Sequence, residues 1–338
     1  MQFHIDIDSQ ELVAGWLIPD NPNTIPTFLI SSPERSLVKL SANVPRPDIK
    51  ELGQHNTGMV GFAIDQAIFP GLGELDDFQI QEEDTGVLIY RRGKGVPQRV
   101  FCFDLATSPP HTLAQASQKH FALCYGQIEQ HPYDTLFSIL NNQASTSMFA
   151  AGRPLLTRHE NTLRRNNFAL LALLRHPHED LAQRLLKARE TAPHDQDSEN
   201  TEPFVSLARS VALEQPAALA AALTTIADVQ PAAIVNPFVR TLACTLDDRP
   251  AQQHVAVALN NLATMDLVGS LTRFGEFKTT LAEMLGEDVL KEFTPQTSGE
   301  LNDLARRLAG LPIVKKFLAL DLSLYSYVEQ AMETAAVQ

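Results

Sequence analysis

The chain has 338 residues, 44% of them hydrophobic, and a formal net charge of −13. That length exceeds what one hydrophobic core ordinarily organises, so two domains, or one large α/β domain with an appendage, are expected. The acidic balance excludes a sequence-independent nucleic-acid binder, which depends on neutralising phosphates, and leaves room only for a local basic cleft.

Residues 1–72 alternate short apolar runs with Pro, Asn, Asp and Ser clusters, which predicts a small β-rich domain. Phe3, Ile5 and Ile7 alternate as on a strand with one buried face. LVAGWLIP, IPTFLI and SLVKLSANV read as further strands, IPDNPNTIP as a loop, and MVGFAI as the last strand. Trp16 is suited either to stacking on a sugar ring or to core packing, and core is the commoner fate of a lone Trp beside Gly. The order Ala-Gly-Trp, proline-rich turn, strand pair, Arg-Pro-Asp and Gly-Phe resembles a β-domain attached to bacterial glycan-modifying transferases. That resemblance implies glycan or protein partners for this domain. Residues 73–98 read as a linker with bridging strands. Their GKG lacks the GxxxxGK[ST] frame of a phosphate loop and reads as an exposed turn between strands.

Residues 99–338 take on α/β character. VFCFDL reads as a buried strand, HTLAQASQKHFALCY as a helix by its apolar spacing, and TSMFAAG as a second strand. Residues 168–174 carry no charge and are too short for a typical helix, so they read as a buried strand. Pro177 then suits the first turn of an amphipathic helix. Arg175 accordingly sits at a strand's carboxyl end, where open α/β sheets bind ligands and a guanidinium grips phosphate. The polar stretch 191–204 predicts a surface loop or lid. Alanine- and leucine-rich helices follow, with DLVGS as a strand and FGEFKTTLAEML as a helix.

Strand, Leu-Arg-His-Pro and helix resemble the strand, Leu-Arg-Asp-Pro and helix of the carbohydrate sulfotransferases, which use the sulfate donor PAPS. The resemblance implies a mostly parallel sheet with flanking helices, in a sulfotransferase-like, P-loop NTPase-like architecture. It makes Arg175 a 3′-phosphate contact, with Gln183 where the family has a second, serine contact. The family's donor loop, of the type His-Ile-Pro-Lys-Thr-Ala-Gly-Thr-Ser, corresponds to residues 104–112. That implies 5′-phosphosulfate binding by Thr107, Ser108 and Thr112. Thr107 stands where the lysine belongs and Pro110 where the glycine belongs, Pro109 and Pro110 lack N–H groups, and Asp104 adds negative charge. Ala-Gly-Arg-Pro at 151–154 resembles the family's Gly-His-x-Pro and places Arg153 toward the substrate. Residues 236–242 resemble the Asn-Pro-x-x-Arg segment by the acceptor cleft, which implies substrate roles for Asn236 and Arg240. Residues 266–274 and 319–325 resemble the closing strand and the terminal Leu-Asp-x-x-Leu-Tyr helix.

Sulfuryl transfer needs a base for the sugar hydroxyl, and His111, at the loop-to-helix junction, and His159 are the first choices among ten histidines. Arg153, Arg158, Arg164, Arg165 and Arg175 fall close together, although Arg164 and Arg165 read as solvated surface. Cys102, Cys124 and Cys244 show neither CxxC nor metal-ligand spacing, so no metal site and no disulfide framework are expected. His176 and His178 are at the wrong spacing for one helical face. No apolar run approaches the ~20 residues of a membrane span, and MQFHIDIDSQ lacks signal-peptide features, so a cytoplasmic location is expected. Two functions follow from the resemblance. One is sulfuryl transfer from PAPS to a polysaccharide or glycoconjugate with a degenerate donor loop. The other is a non-catalytic relative acting as a glycan-binding or complex-forming partner. A different phosphorylated ligand in the same cleft remains a third.

Overall fold

A computed structural model describes residues 1–190 and 203–335. Thirteen strands occur among them: β1 (Gln2–Asp8), β2 (Val13–Ile18), β3 (Thr27–Ser32), β4 (Arg35–Ser41), β5 (Val44–Pro45), β6 (Met59–Ile64), β7 (Phe78–Glu82), β8 (Leu88–Arg92), β9 (Arg99–Leu105), β10 (Leu123–Tyr125), β11 (Met148–Gly152), β12 (Ala169–Leu174) and β13 (Leu267–Ser270). They form two antiparallel four-stranded sheets, ordered β1-β2-β6-β5 and β4-β3-β7-β8, and a five-stranded parallel sheet ordered β10-β11-β9-β12-β13. The chain divides into two compact units. One is Met1–Phe101 with Ser117–Ala150 and Thr162–Phe168; the other is Cys102–Ala116 with Ala151–Asn161 and Ala169–Gln338.

In the first unit both antiparallel sheets bury one face each, and Phe28 of β3 meets Phe62 of β6 with ring centroids 4.6 Å apart. Gly15 lets β1 cross β2 closely, since a Cβ there would stand 2.3 Å from the His4 carbonyl oxygen. The stretch 73–98 supplies β7 and β8. β7 pairs antiparallel with β3 in the register Phe28↔Glu82 to Ser31↔Gln79, so these strands extend the sheet begun by β3 and β4. The two arginines that end β8 are consumed locally: Arg91 grips Asp77 at 2.9 and 2.7 Å, and Arg92 donates to the Leu72 and Ser9 carbonyls. Residues 111–125 do not form one helix. The helix stops at Leu113–Ser117, because Leu123–Tyr125 pairs in parallel with Met148–Ala150 and strand pairing overrides the helical spacing. Helix Tyr133–Asn141 buries Leu136, Ile139 and Leu140 and leaves Tyr133 and Phe137 outward.

In the second unit β12 is buried along all but its first residue, as an uncharged strand covered on both faces should be. It runs parallel to β13, from Leu171↔Leu267 to Leu174↔Ser270. Helix Phe274–Leu285 lies so close to β13 that a Cβ on Gly269 would come within 2.5 Å of the Phe277 ring. Helix Pro177–Glu190 begins with Pro177, carries Glu179 and Asp180 in its first turn and Lys187 and Arg189 in its last, matching the helix dipole at both ends. Its buried face, Leu181, Ala182, Leu185 and Ala188, joins Leu219, Leu223, Leu304 and Leu308 in one helical core. The polar stretch 191–204 falls outside the described residues except for Pro203 and Phe204, which open helix Pro203–Ser210.

A candidate nucleotide cleft at the carboxyl edge of the sheet

Two strands of the second unit end in the turns that the sequence singles out. After β9, the backbone folds around the Asp104 carboxylate. Its Oδ1 accepts the N–H groups of Ala106 and Thr107 at 3.2 and 2.8 Å, and its Oδ2 accepts the Thr107 hydroxyl. An N–H nest that would receive an external anion is therefore filled by the chain's own carboxylate. The adjoining Pro109 and Pro110 contribute no donor. Thr112 is also engaged, its hydroxyl accepting the Gln115 N–H at 3.2 Å to start helix Leu113–Ser117. His111 is exposed at this turn, where its N–H donates to the Ser108 carbonyl at 3.1 Å. Of the residues implied to hold a phosphosulfate, Ser108 lines the cleft described below.

After β12, the Arg175 N–H donates to the Leu105 carbonyl, and the guanidinium turns inward, 2% exposed. Nη1 donates to the Gln183 side-chain oxygen and Nη2 to the Gln296 carbonyl at 3.1 Å. Burial lowers the Arg175 pKa, against the opposing pull of Asp180, Glu179 and Asp104. Gln183, 7% exposed, stands between Arg175 and a cleft of about 200 Å³. Ser108, Lys187, Glu190, Thr297 and Ser298 also line that cleft. With its oxygen held by Arg175, the Gln183 carboxamide presents its NH₂ group as a donor. Ser298 caps helix Gly299–Gly310 by accepting the Leu301 N–H at 3.1 Å. The N–H groups of Gly299 and Glu300 at the same helix start have no protein partner among the described residues.

Arg153 ties the two turns together. It donates to the Asp104 carbonyl at 3.0 Å and to the Asp180 carboxylate at 2.7 Å, while Arg184 reaches the other Asp180 oxygen at 2.8 Å. Burial raises the Asp180 pKa, but the two guanidiniums overcome it and hold the carboxyl below its ordinary range. Arg153 is thus a structural link on the cleft's supporting side.

The other implied site residues lie in different settings. The Asn236 side chain accepts the N–H groups of Leu320 and Asp321 at 2.9 and 3.3 Å, capping helix Ala319–Ala335. Asp321 returns the bond, accepting the Phe238 and Val239 N–H groups at 3.0 and 2.8 Å at the start of helix Pro237–Ala243. Burial pushes the Asp321 carboxyl up to about 7. Arg240 donates to the Asp248 and Leu246 carbonyls and closes a loop. His159 is 4% exposed within helix Leu156–Arg165, and burial, with the Arg158 charge, pushes it down to about 4. His176 and His178 face each other at 5.2 Å beside Tyr325, and burial with the His176 and Lys315 charges pushes His178 down to about 4.

The structure therefore brings together Ser108, Arg175 and Gln183, and does not join Asn236, Arg240 or His159 to them by any bond described. Sequence reasoning missed Thr297 and Ser298, whose Ser-Gly-Glu order is a helix-start signature, and the carboxylate role of Asp104, signalled by Asp-Leu-Ala-Thr. Among the described residues no three His, Cys, Asp or Glu side chains gather to hold a metal ion, and no helix is long and apolar enough to cross a membrane.

PAPS, which the sequence resemblance implies, fits these residues only in part. The Gln183–Lys187–Ser298 side of the cleft carries side-chain donors, with Lys187 also paired to Glu190 at 3.0 Å, whereas the amides expected to hold a phosphosulfate are taken by Asp104. No family model matches the chain, and no curated protein matches it. Among solved structures, the chain is similar to a mouse sulfotransferase, SULT7A1, complexed with PAP, at 12% identity and a TM-score of 0.34. The match covers 63% of this chain and 65% of that one, so it spans just under two thirds of the sulfotransferase's length.

Proposed function

We propose that this chain is a sulfotransferase-like protein of polysaccharide or glycoconjugate modification that binds a 3′-phosphorylated nucleotide of the PAP type without transferring a sulfuryl group. One observation carries the reading: Asp104 occupies the N–H groups of Ala106 and Thr107. A phosphosulfate arriving there would meet a buried carboxylate in place of free donors. The phosphate half of the ligand would instead meet Gln183, Lys187 and the start of helix Gly299–Gly310, where N–H donors and dipole favour an anion. Arg175 acts from behind, fixing the Gln183 carboxamide.

A second reading, sulfuryl transfer to a sugar hydroxyl with His111 as base, is favoured by the exposure of His111 beside Ser108. The two separate cleanly. Calorimetric titration with adenosine 3′,5′-bisphosphate tests the cleft, with micromolar binding expected and silence at millimolar ligand overturning it. Incubation with radiolabelled PAPS and a panel of polysaccharides tests the turn after β9. No labelled glycan is expected, and transfer that is lost in His111→Ala would establish the second reading in place of the first.

A further inference from the structure

The first unit contains a groove of about 410 Å³, within the range of small-ligand sites, between β1, β2 and helix Tyr133–Asn141. Its walls are aromatic: Trp16, Tyr133 and Phe137 line it, with His4 beside them. Tyr133 and Phe137 are one helical turn apart, 43% and 40% exposed, with ring centroids separated by 6.1 Å. Leu136, Ile139 and Leu140 already pack the opposite face of this helix, so Tyr133 and Phe137 form a second apolar face left largely exposed. Trp16 rests on the Ile18, Ile49 and Val60 cluster yet lines the groove as well, so core packing and ligand stacking are not exclusive for it.

The platform is fixed in place. Arg46 lies 5.7 Å from the Trp16 ring centre, and its guanidinium is itself held by both Asp48 oxygens, at 3.0 and 2.8 Å, and by Asp6 at 2.9 Å. Around the rings stand polar groups with hydrogen-bonding capacity to spare. The Gln2 carboxamide, the Trp16 indole N–H and the Asp134 carboxylate have no partner among the described residues, and the Ser138 hydroxyl accepts only the Phe3 N–H at 3.1 Å.

We propose that this groove is a binding site for an uncharged oligosaccharide. A pyranose ring presents a flat face of C–H groups and a rim of hydroxyls. The aromatic rings match the face, while the carboxylate, carboxamide, hydroxyl and indole N–H match the rim. Charge narrows the class. The lining holds Asp134 and no lysine or arginine, and the nearby Arg46 is already shared by two aspartates, so uronates, sulfated sugars and phosphates are repelled. The site rests on the groove's own chemistry and stands or falls apart from the nucleotide cleft.

The chain contains a single tryptophan, so its emission reports on this groove. The full chain is titrated with maltotriose, cellotriose and chitotriose while Trp16 fluorescence is followed, and is applied to an array of neutral and acidic oligosaccharides. At least one neutral sugar is expected to shift the emission saturably, with acidic sugars silent. Phe137→Ala and Asp134→Asn, both at exposed positions, are expected to weaken binding by about tenfold or more while leaving the circular dichroism and the affinity for adenosine 3′,5′-bisphosphate unchanged. Silence toward every neutral sugar on the array and at millimolar trisaccharide overturns the proposal. So does binding that both variants leave intact, or preference for acidic sugars.

Discussion

The turns after β9 and β12 share one plan, a buried strand, a few residues and a helix, and yet they treat charge in opposite ways. At Asp104 the chain folds its own anion into the backbone amides, so the turn is complete without a ligand. At Arg175 the chain buries a cation, uses it to orient Gln183, and leaves Gln183 and the Ser298 cap of helix Gly299–Gly310 lining a cleft. Topology alone, then, does not make a strand end a binding site. What matters is whether the local polar groups are spent on each other or aimed outward.

Removing the buried cation should have the largest effect. Arg175→Ala leaves the Gln183 and Gln296 acceptors unpaired and a void beside them, and is expected to cost about 3 kcal/mol in urea unfolding. It should also abolish nucleotide binding; unchanged stability would mean that Gln183 needs no such support. Asp104→Ala should strand two backbone N–H groups and cost about 2 kcal/mol, but millimolar sulfate should then raise the melting temperature of the variant more than that of the parent. Equal sulfate responses would show that the amides do not form an anion nest.

The pH response sharpens the same contrast between spent and unspent charge. His159 and His178, held down to about 4, bind fewer protons folded than unfolded between pH 4 and their ordinary 6.5, so stability rises with pH across that window. Asp321, raised from 3.8 to about 7, binds more protons folded than unfolded, so its contribution falls as pH rises through that range. Asp321→Asn should therefore steepen the gain in stability from pH 4 to 6.5, measured by denaturation at each pH, and a flatter profile would contradict the assignment. Smaller still, Ser298→Ala should cost about 1 kcal/mol through the lost helix cap. Lys187→Ala should change stability little and weaken nucleotide binding mainly at low salt, read by calorimetry across ionic strengths.

Much of this was legible from residue order. β9 is buried throughout and β12 along all but its first residue, which matches their reading as central strands, and Pro177 after Arg175 announced a helix start. Leu123–Tyr125 was not legible, because three residues carry no period of their own and become a strand only by pairing with β11. At the site, Arg175 in the turn after β12 meets Gln183 of the helix Pro177–Glu190 that follows it. Asn236 and Arg240, by contrast, look like ligand-binding residues in sequence, and their partners, at 320–321 and 246–248, are supplied by the fold. The carboxylate of Asp104 was visible as a charge, but its capture by its own turn depends on backbone direction, which sequence does not carry.

The exchange of caps between Asn236 and Asp321 has a kinetic consequence. Each helix start is sealed by a side chain from the other, so neither first turn can fray without exposing the donors of both. The starts of helices Pro237–Ala243 and Ala319–Ala335, more than eighty residues apart along the chain, should thus open as one cooperative unit. Their amide protons should exchange with solvent at a common rate, and replacing either cap should accelerate both ends together.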